Sequence, residues 1–345
     1  MLERSKSWRD NVVSESDSLR TAASCLNGAF HKIVLVVSED QKLIGTVTDG
    51  DLRRGLLAGA NLEDDVKQWM NAEFITAFDS ASSLELISQM KAKDIHEIPI
   101  VDELGRVTGL VADHQSEPEF QGTFVIMAGG RGTRLMPLTE STPKPMLRVG
   151  GRPILEHILS SAVAQGFCDF VISINYLGEV IKSYFGDGSK WGASITYLSE
   201  DLPLGTAGAL SLLGADTQGP VIVANGDLIT DLDYRAMLKH HIESDAEISV
   251  AVRRFEFKNP YGVVRTTGQY VDSIEEKPTV ISQVNTGVYV LEPGALKLLN
   301  KGQFFNMTDL VQKMLERNSK VAAFPIHEAW MDIGTPGDLK EANQA

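Results

Sequence analysis

A glycine-rich segment followed by basic residues is the part of this 345-residue chain whose residue types bear most directly on chemistry. The segment reads MAGGRGTRLMPLTESTPKPML, Met127 to Leu147. Its glycines allow a tight loop whose backbone N–H groups can approach phosphate oxygens without obstruction by a Cβ. Its cations could neutralise a triphosphate and a departing pyrophosphate. The residues concerned are the glycines Gly129, Gly130 and Gly132 and the cations Arg131, Arg134 and Lys144. Glycines alone would also fit an ordinary turn after a strand.

Two aspartates elsewhere in the chain are candidate ligands for a hard cation. Asp227 follows the apolar run of VIVANGDLI, and Asp332 lies in WMDIGTPGDL, just before a Gly-Thr-Pro turn. Carboxylate oxygens are ligands that Mg²⁺ accepts in proteins. Taken singly, either residue could equally cap a helix or lie solvated in a turn.

The elements that must position these residues alternate between strands and helices. The clearest predicted helix is Pro153 to Gln165, because Pro153 suits the first helical position and apolar side chains recur on one face. Apolar runs predict strands at Phe124 to Ala128, Phe170 to Asn175, Ser194 to Leu198, Val221 to Asn225, Ile248 to Arg253, Val263 to Thr266 and Val284 to Leu291. This alternation predicts an α/β fold with a doubly wound, predominantly parallel, mixed sheet of Rossmann-like type. Ligands then bind at the carboxyl ends of the strands.

The first third of the chain contains an internal repeat. VVSEDQKLIGTVTDGD (Val36 to Asp51) aligns with IVDELGRVTGLVADHQ (Ile100 to Gln115) at an offset of 64 residues. In each copy a strand runs into an acidic turn and then a second strand, after a stretch with helical apolar spacing. Two β-α-β-β units are therefore predicted. They resemble a tandem pair of cystathionine-β-synthase (CBS) domains.

The segment GTVTDGDLRRGL, Gly45 to Leu56, resembles the adenosine-site motif of CBS domains. That resemblance implies an adenine nucleotide with Thr48 near its phosphate and Asp51 at the ribose hydroxyls. In the second copy Ala112 and Gln115 replace the threonine and the aspartate, so at most one site is expected. The alternative is a module that serves only for dimerisation, and we expect the chain to form a homo-oligomer.

A polar segment, Asp113 to Gly122, separates the repeat from the strand-helix region. It contains Pro118 and lacks periodicity, which is typical of a linker. We expect a regulatory or dimerising CBS domain over residues 1–118 and a second domain over residues 119–345.

The glycine segment, with GTRLMPLT and the PKP of Pro143 to Pro145, resembles the sugar-1-phosphate nucleotidyltransferase family over residues 123–345. Members join a nucleoside triphosphate to a sugar 1-phosphate and release pyrophosphate. The resemblance implies that Arg134 and Lys144 stabilise charge around the α-phosphorus and the leaving group. It also implies Mg²⁺ as cofactor, held by Asp227 and Asp332. The implied nucleotide-binding residues of the loop are Ala128, Gly129, Gly130, Gly132 and Thr133.

The same resemblance assigns the sugar phosphate to segments further along the chain. In SIEEKP, Glu276 would accept hydrogen bonds from sugar hydroxyls and Lys277 would pair with the sugar phosphate. Gly262 in NPYGVV would contact the sugar through its backbone, and NTGVYV would supply Asn285 and Gly287. Alternating acids and lysines are also common on solvated surfaces, and glycines in strands also mark bulges.

Nucleobase choice is expected around Glu200 and LGTAGAL, which contains Gly205 and Thr206 and resembles the base-recognition loop of the family. Glutamine is common near position 200 in thymidine and uridine enzymes. An ionised glutamate only accepts hydrogen bonds, and guanine offers two adjacent donors. The residue therefore favours GTP over UTP or dTTP, unless Glu200 is a surface residue after its strand.

These observations predict an enzyme that forms GDP-hexosamine or GDP-hexose from GTP and a sugar 1-phosphate, with glucosamine 1-phosphate and mannose 1-phosphate both open. The fusion to CBS domains resembles bacterial guanylyltransferases of surface-glycan or nonulosonic acid pathways. The alternatives are a thymidylyl- or uridylyltransferase and a non-catalytic nucleotide sensor. A hydride-transferring dinucleotide enzyme is disfavoured, because the loop reads GGRGTR and not G-x-G-x-x-G.

Composition limits the partners. The net charge of −14 argues against nucleic acid and anionic membranes, because both repel an acidic protein. The amino terminus has no apolar core typical of a signal peptide, and apolar runs are too short to span a bilayer. Cys25 and Cys168 have no neighbouring ligands, which indicates ordinary thiols and a reducing, cytoplasmic setting.

Overall fold

The computed structural model describes residues 2–4, 7–28, 31–93, 95–113, 122–214 and 217–344. The chain divides into two compact units, residues 1–118 and residues 119–345. Of the segment predicted as a linker, residues 114–121 lie outside the described residues, as does Gln115 of the second repeat.

The first unit consists of two β-α-β-β repeats. Its strands are β1 (Leu2–Arg4), β2 (Val12–Ser14), β3 (Ile33–Val37), β4 (Leu43–Thr48), β5 (Ala77–Phe78), β6 (Glu97–Val101) and β7 (Val107–Asp113). Its helices are α1 (Leu19–Gly28), α2 (Asp49–Leu57) and α3 (Ser83–Lys93). The strands form a three-stranded sheet ordered β2-β3-β4 and a four-stranded sheet ordered β1-β7-β6-β5. The two antiparallel hairpins, β3–β4 and β6–β7, begin 64 residues apart, at the offset of the sequence repeat.

The second unit contains thirteen strands and seven helices among its described residues. The strands are β8 (Thr123–Met127), β9 (Arg148–Val149), β10 (Arg152–Pro153), β11 (Asp169–Ile174), β12 (Ser194–Ser199), β13 (Val221–Asn225), β14 (Leu228–Thr230), β15 (Ile248–Lys258), β16 (Val263–Thr267), β17 (Tyr270–Glu275), β18 (Thr279–Leu291), β19 (Val321–Pro325) and β20 (Trp330–Asp332). The helices are α4 (Ile154–Ala164), α5 (Gly178–Phe185), α6 (Gly205–Gly208), α7 (Tyr234–Glu243), α8 (Pro293–Leu296), α9 (Met307–Glu316) and α10 (Pro336–Ala342).

Seven of these strands form the central sheet, in the order β12-β11-β8-β13-β18-β15-β19. Neighbours β12, β11, β8 and β13 run parallel, whereas β18 is antiparallel to both β13 and β15. Strand β19 returns to a parallel pairing with β15. The predicted fold class, a predominantly parallel mixed sheet, is confirmed.

Both faces of the sheet are covered, as the alternating side chains of its central strand show. Ile222 and Ala224 of β13 pack into one core together with apolar side chains of α4, α5 and α7. Val221 and Val223 pack into a second core with side chains of α6 and α9. Burial on both faces explains why the strand is a continuous apolar run in the sequence.

Two strands extend further than the sequence predicted. Strand β15 continues past Arg253 to Lys258, and β18 begins at Thr279 rather than at Val284. Most side chains of these extensions are exposed, and no apolar run in them is longer than two residues, so no buried-strand signal marks them. The extensions and the hairpin β16–β17 form a solvent-exposed ribbon. Strand β17 was not predicted, for the same reason.

No helix among the described residues combines the length and the apolar character needed to cross a bilayer.

Candidate active site

The glycine segment leaves the carboxyl end of β8 in the middle of the parallel strands. The Ala128 N–H donates to the Ser173 carbonyl on β11 at 2.8 Å, and the Gly226 N–H donates to the Met127 carbonyl at 2.9 Å. Gly132 has a positive φ of 60°, and a Cβ on it would lie 2.9 Å from the Cβ of Lys144. Only glycine fits this position, because the loop turns in the left-handed region directly against the lysine. The loop is thereby brought against Lys144.

Lys144 bridges the two predicted aspartates. Its Nζ lies 2.5 Å from Oδ2 of Asp227 and 3.7 Å from Oδ1 of Asp332. The lysine side chain is only 9% exposed. The aspartates meet because β14 pairs antiparallel with β20, with Leu228 opposite Asp332, and because the Ile333 N–H donates to the Asp227 carbonyl at 3.0 Å. Two carboxylates far apart in sequence therefore share one buried ammonium.

The electrostatics of Asp332 indicate a site that attracts positive charge. Burial raises the pKa of its carboxyl, and the negative charge of Asp227 raises this pKa further. The charges of Lys144 and Arg134 act in the opposite direction. Arg134 lies close by, because its guanidinium packs against Gly334. Two carboxylates that repel each other gain stability from any additional cation that both can contact.

The donor set of this cluster, Asp227 and Asp332, fits a hard divalent cation. Both side chains offer carboxylate oxygens, and both keep part of their surface exposed, at 27% and 43%. Mg²⁺ typically takes one or two carboxylates and completes its shell with water and substrate phosphates.

A cavity of about 240 Å³ lies at the carboxyl ends of β8 and β13, next to this cluster. Eight of the predicted site residues line it, namely Ala128, Gly129, Gly130, Lys144, Glu200, Gly205, Thr206 and Asp227. Gly132, Thr133, Arg134 and Asp332 are not among its lining residues, although Gly132, Arg134 and Asp332 are linked to it through the contacts described above. Thr133 opens a short 3₁₀ turn that also contains Arg134.

Glu200 lies at the end of β12 and is buried. Its Oε1 accepts a hydrogen bond from the Ser173 hydroxyl at 2.5 Å, and its Oε2 accepts one from the Leu204 N–H at 2.8 Å. The carboxylate also lies against Gly129, where a Cβ would be 2.6 Å from Oε1. The side chain is therefore held at the cavity, and each oxygen keeps acceptor capacity for a ligand. It is not a surface residue.

The segment after Glu200 is fixed by a second segment from far along the chain. The Phe305 N–H donates to the Leu204 carbonyl at 2.9 Å, and the Phe305 carbonyl accepts from the Ala207 N–H at 2.9 Å and from the Gly208 N–H at 3.0 Å. Gly205 has φ of 78°, and a Cβ there would lie 2.6 Å from the Phe305 carbonyl oxygen. The glycine is required because the two backbones approach so closely.

The predicted sugar residues fall into two groups. Asn285 and Gly287 lie on β18 next to the cavity: the Gly287 N–H donates to Oδ1 of Asn285 at 3.0 Å, and Gly287 packs against Asn225, which lines the cavity. Gly262 and Glu276 lie together on the exposed ribbon, where a Cβ on Gly262 would be 2.9 Å from Oε2 of Glu276.

Lys277 follows Glu276 with a positive φ of 49°, and it is exposed. Among the described residues, no contact joins Gly262, Glu276 or Lys277 to the Lys144 cluster. The structure therefore assembles the nucleotide side of the predicted site and the strand entry at Asn285, and it leaves the ribbon residues apart from them.

The sequence of this chain matches known protein families. The sequence profile described as Nucleotidyl transferase matches residues 123–345, which is more than half of the chain. The chain belongs to the nucleotidyl transferase family. Two CBS domains match residues 8–58 and 66–114, so the repeat in the first unit is a tandem CBS pair.

Individual relatives agree with this assignment. A mannose-1-phosphate guanylyltransferase from Mycobacterium tuberculosis is 32% identical over 223 residues. This match spans 62% of the chain and 62% of that relative, so the chain covers about three fifths of the relative's length. Among solved structures, a candidate glucose-1-phosphate thymidylyltransferase from Bacillus anthracis in complex with sucrose is 28% identical, with a TM-score of 0.52 over 64% of this chain and 94% of that one. HddC from Yersinia pseudotuberculosis complexed with GMP-PN is 25% identical, with a TM-score of 0.51 over 65% of this chain and 98% of the other.

Four residues that the sequence did not single out also belong to the cavity or hold a residue that lines it. Asn225, Pro203 and Phe304 line the cavity, and Ser173 holds Glu200. The ANGD run around Asn225 carried a signal, because it ends a buried strand at the cavity edge. Phe304 carried none, since an aromatic pair between Gln303 and Asn306 has no periodicity.

In the CBS unit, Thr48 and Asp51 lie together at the start of α2. The Thr48 N–H and hydroxyl both donate to Oδ2 of Asp51, at 2.9 and 2.7 Å, and Arg54 donates to Oδ1 at 2.6 Å. This arrangement is a capping box that stabilises the helix amino terminus. A ribose at Asp51 would therefore compete with Arg54 for the carboxylate.

Proposed function

We propose that this protein transfers a nucleotidyl group from GTP to a sugar 1-phosphate, forming a GDP-sugar and pyrophosphate. The observation that supports this best is the convergence of Lys144, Asp227 and Asp332 beside a glycine-lined cavity. Polyphosphate needs backbone N–H groups and fixed cations, and a divalent ion needs carboxylates. The glycine loop offers the N–H groups, Lys144 offers a cation, and Asp227 and Asp332 offer the carboxylates.

The reaction we propose is an in-line displacement. An oxygen of the sugar phosphate attacks the α-phosphorus, a new P–O bond forms, and the bond from the α-phosphorus to the bridging oxygen breaks as pyrophosphate leaves. The nucleophile is already an anion, so the step needs no general base and no covalent enzyme intermediate. Rate acceleration comes from positioning and from stabilisation of charge.

The chain's own residues have distinct parts in this proposal. The Gly129–Gly130 loop holds the triphosphate through backbone N–H groups. Lys144 and Arg134 stabilise the negative charge that builds up on the α-phosphoryl and pyrophosphate oxygens. When bound by Asp227 and Asp332, Mg²⁺ supplies further neutralisation of the phosphate charge that would otherwise repel the incoming sugar phosphate.

Base and sugar choice rest on separate residues. Glu200 favours guanine, because its held carboxylate can accept from the N1–H and the exocyclic amine together. Asn285 and Gly287 would contact the sugar, and closure of the ribbon would bring Gly262, Glu276 and Lys277 to it. Glucosamine 1-phosphate and mannose 1-phosphate are the candidate acceptors, for a bacterial surface-glycan or nonulosonic acid pathway.

The CBS unit is proposed to bind an adenine nucleotide at Thr48 and Asp51, or to hold subunits of a homo-oligomer together. Measuring the binding of adenine nucleotides distinguishes the two roles. Binding of AMP or ATP that is lost in Asp51→Ala would support the first. If the protein binds neither AMP nor ATP and still forms a stable oligomer, the second role would be supported.

One experiment tests the catalytic proposal. The full chain is incubated with Mg²⁺, the four common nucleoside triphosphates plus dTTP, and glucosamine, mannose and glucose 1-phosphates, and each product is identified by mass. A GDP-sugar is expected, and dTDP- or UDP-sugar would instead identify a thymidylyl- or uridylyltransferase. Asp227→Asn should abolish product while leaving the melting temperature close to that of the wild type. If no product forms with any pair, the non-catalytic nucleotide sensor is the better description.

A further inference from the structure

The cavity has a single aromatic ring among its described lining residues, that of Phe304. The ring is 58% exposed, although its neighbour Phe305 is half-buried and packs against the second core. Isolated apolar side chains on a protein surface are normal. An exposed ring that borders a ligand cavity is different, because a ligand entering the cavity can cover it.

The backbone that follows Phe304 is fixed. Phe305 makes three backbone hydrogen bonds to the Leu204–Gly208 segment, and the Met307 N–H donates to the Thr206 hydroxyl at 2.8 Å. The Lys313 ammonium lies 5.6 Å from the Phe305 ring centroid and helps to cover that ring. Phe304 is therefore held at the cavity by its neighbours while its own ring is left without such a cover.

The position of the ring complements that of Glu200. Glu200, Pro203 and Gly205 line the same cavity as Phe304. A carboxylate recognises the hydrogen-bonding edge of a base, whereas an aromatic ring offers a surface for its flat face. Every nucleobase has such a face, so stacking adds affinity that depends little on the identity of the base.

We propose that the Phe304 ring stacks on the nucleobase of the bound nucleoside triphosphate, forming one wall of the base subsite. The proposal rests on the function proposed above, since it requires that the cavity binds a nucleotide. Phe304 would then contribute affinity, and Glu200 would contribute selectivity. The residue is a binding residue and takes no part in the transfer of the phosphoryl group.

The test measures binding by isothermal titration calorimetry on the full chain with Mg²⁺, using GTP and inorganic triphosphate as separate probes. Phe304→Ala should weaken GTP binding about tenfold, which lies within the range for loss of one base–aromatic stack. Inorganic triphosphate has no base, so its affinity should not change. Phe304→Tyr keeps a ring and should keep wild-type affinity for GTP. Phe257→Ala is the matched control, because that ring is 57% exposed on the ribbon and does not line the cavity.

The outcomes separate this inference from the function on which it rests. If wild type binds GTP and Phe304→Ala binds it equally well, stacking is refuted and the proposed function stands. If Phe304→Ala weakens GTP and inorganic triphosphate to the same degree, the ring has only a structural role. If wild type binds neither probe, the proposed function fails, and the inference fails with it.

Discussion

Replacement of Lys144 by methionine tests the central charge cluster most directly. Methionine keeps most of the apolar stem of this nearly buried side chain and removes only its charge. A unit charge about 4 Å from an opposite charge contributes about 4 kcal/mol at an effective dielectric constant of about 20. The lysine Nζ lies within this range of both Asp227 and Asp332, and a bound phosphate group would lie at a similar distance.

Only the part of that attraction that grows in the transition state accelerates the reaction. Loss of one such fixed donor typically costs about 10²- to 10³-fold in kcat. We therefore expect Lys144→Met to lower kcat by this factor in a pyrophosphate-release assay with GTP and the accepted sugar 1-phosphate. A variant that retains wild-type turnover would refute the assignment of Lys144.

A second measurement on the same variant needs no substrate. Without the ammonium, the repulsion between Asp227 and Asp332 is offset by one fewer positive charge, so a divalent cation should stabilise the variant more than it stabilises wild type. The expected result is a larger rise in melting temperature on addition of Mg²⁺ to Lys144→Met in the absence of nucleotide. Lys320→Met is the control, because the pair of Lys320 with Asp245 is exposed and screened by solvent. An equal Mg²⁺ response in both variants would contradict the shared-charge explanation.

Two further substitutions give predictions away from the cluster of Lys144, Asp227 and Asp332. In Glu200→Gln the amide N–H can donate to the Ser173 hydroxyl and the amide oxygen can accept from the Leu204 N–H, but one acceptor for guanine is lost. We expect kcat/KM for GTP to fall about 10- to 100-fold, and an unchanged preference for GTP in competition with UTP would refute the assignment of Glu200. His241 is buried between Ser249 and Glu292, and burial lowers its pKa, so the unfolded chain takes up a proton at higher pH than the folded protein does. Stability should therefore decline as pH falls below about 6.5, and His241→Gln should lose this part of the decline in urea unfolding compared at about pH 7.5 and pH 5.5. Parallel pH profiles for the two proteins would show that His241 does not carry the effect.

The parallel half of the sheet could be predicted because most residues of β8, β11 and β13 are buried, so these strands are apolar runs in the sequence. Val221–Asn225 is a strand with the bounds that the apolar run indicated, and α4 spans Ile154–Ala164 within the predicted helix. The exposed ribbon could be predicted only in part: β16 lies where Val263 to Thr266 was predicted to form a strand, whereas β17 and the extensions of β15 and β18 were not predicted. Strand β17 is wholly exposed, so it has no buried face, and no apolar run longer than two residues marks it in the sequence.

The site, too, could be predicted from the sequence only in part. The resemblance carried by the glycine segment, GTRLMPLT and PKP, pointed to Lys144, Asp227 and Asp332, whereas each aspartate taken singly could equally have capped a helix. The pairing of β14 with β20, which brings Asp332 to Asp227, depends on a register between short strands. Short strands of this kind have too few residues for a periodic signal. Glu200 shows a further limit of the sequence. Its residue type suggested a base contact, but only the structure shows the hydrogen bonds from Ser173 and Leu204 that hold its carboxylate.

The close packing of Leu204–Gly208 against the Phe305 backbone has a practical consequence for anyone who wishes to redesign nucleotide choice. The two segments form one packed structural unit, although nearly a hundred positions separate them in the chain. Exchanging residues 200–208 alone for those of another enzyme would place new side chains against an unmatched backbone. A successful transplant would move residues 303–306 at the same time.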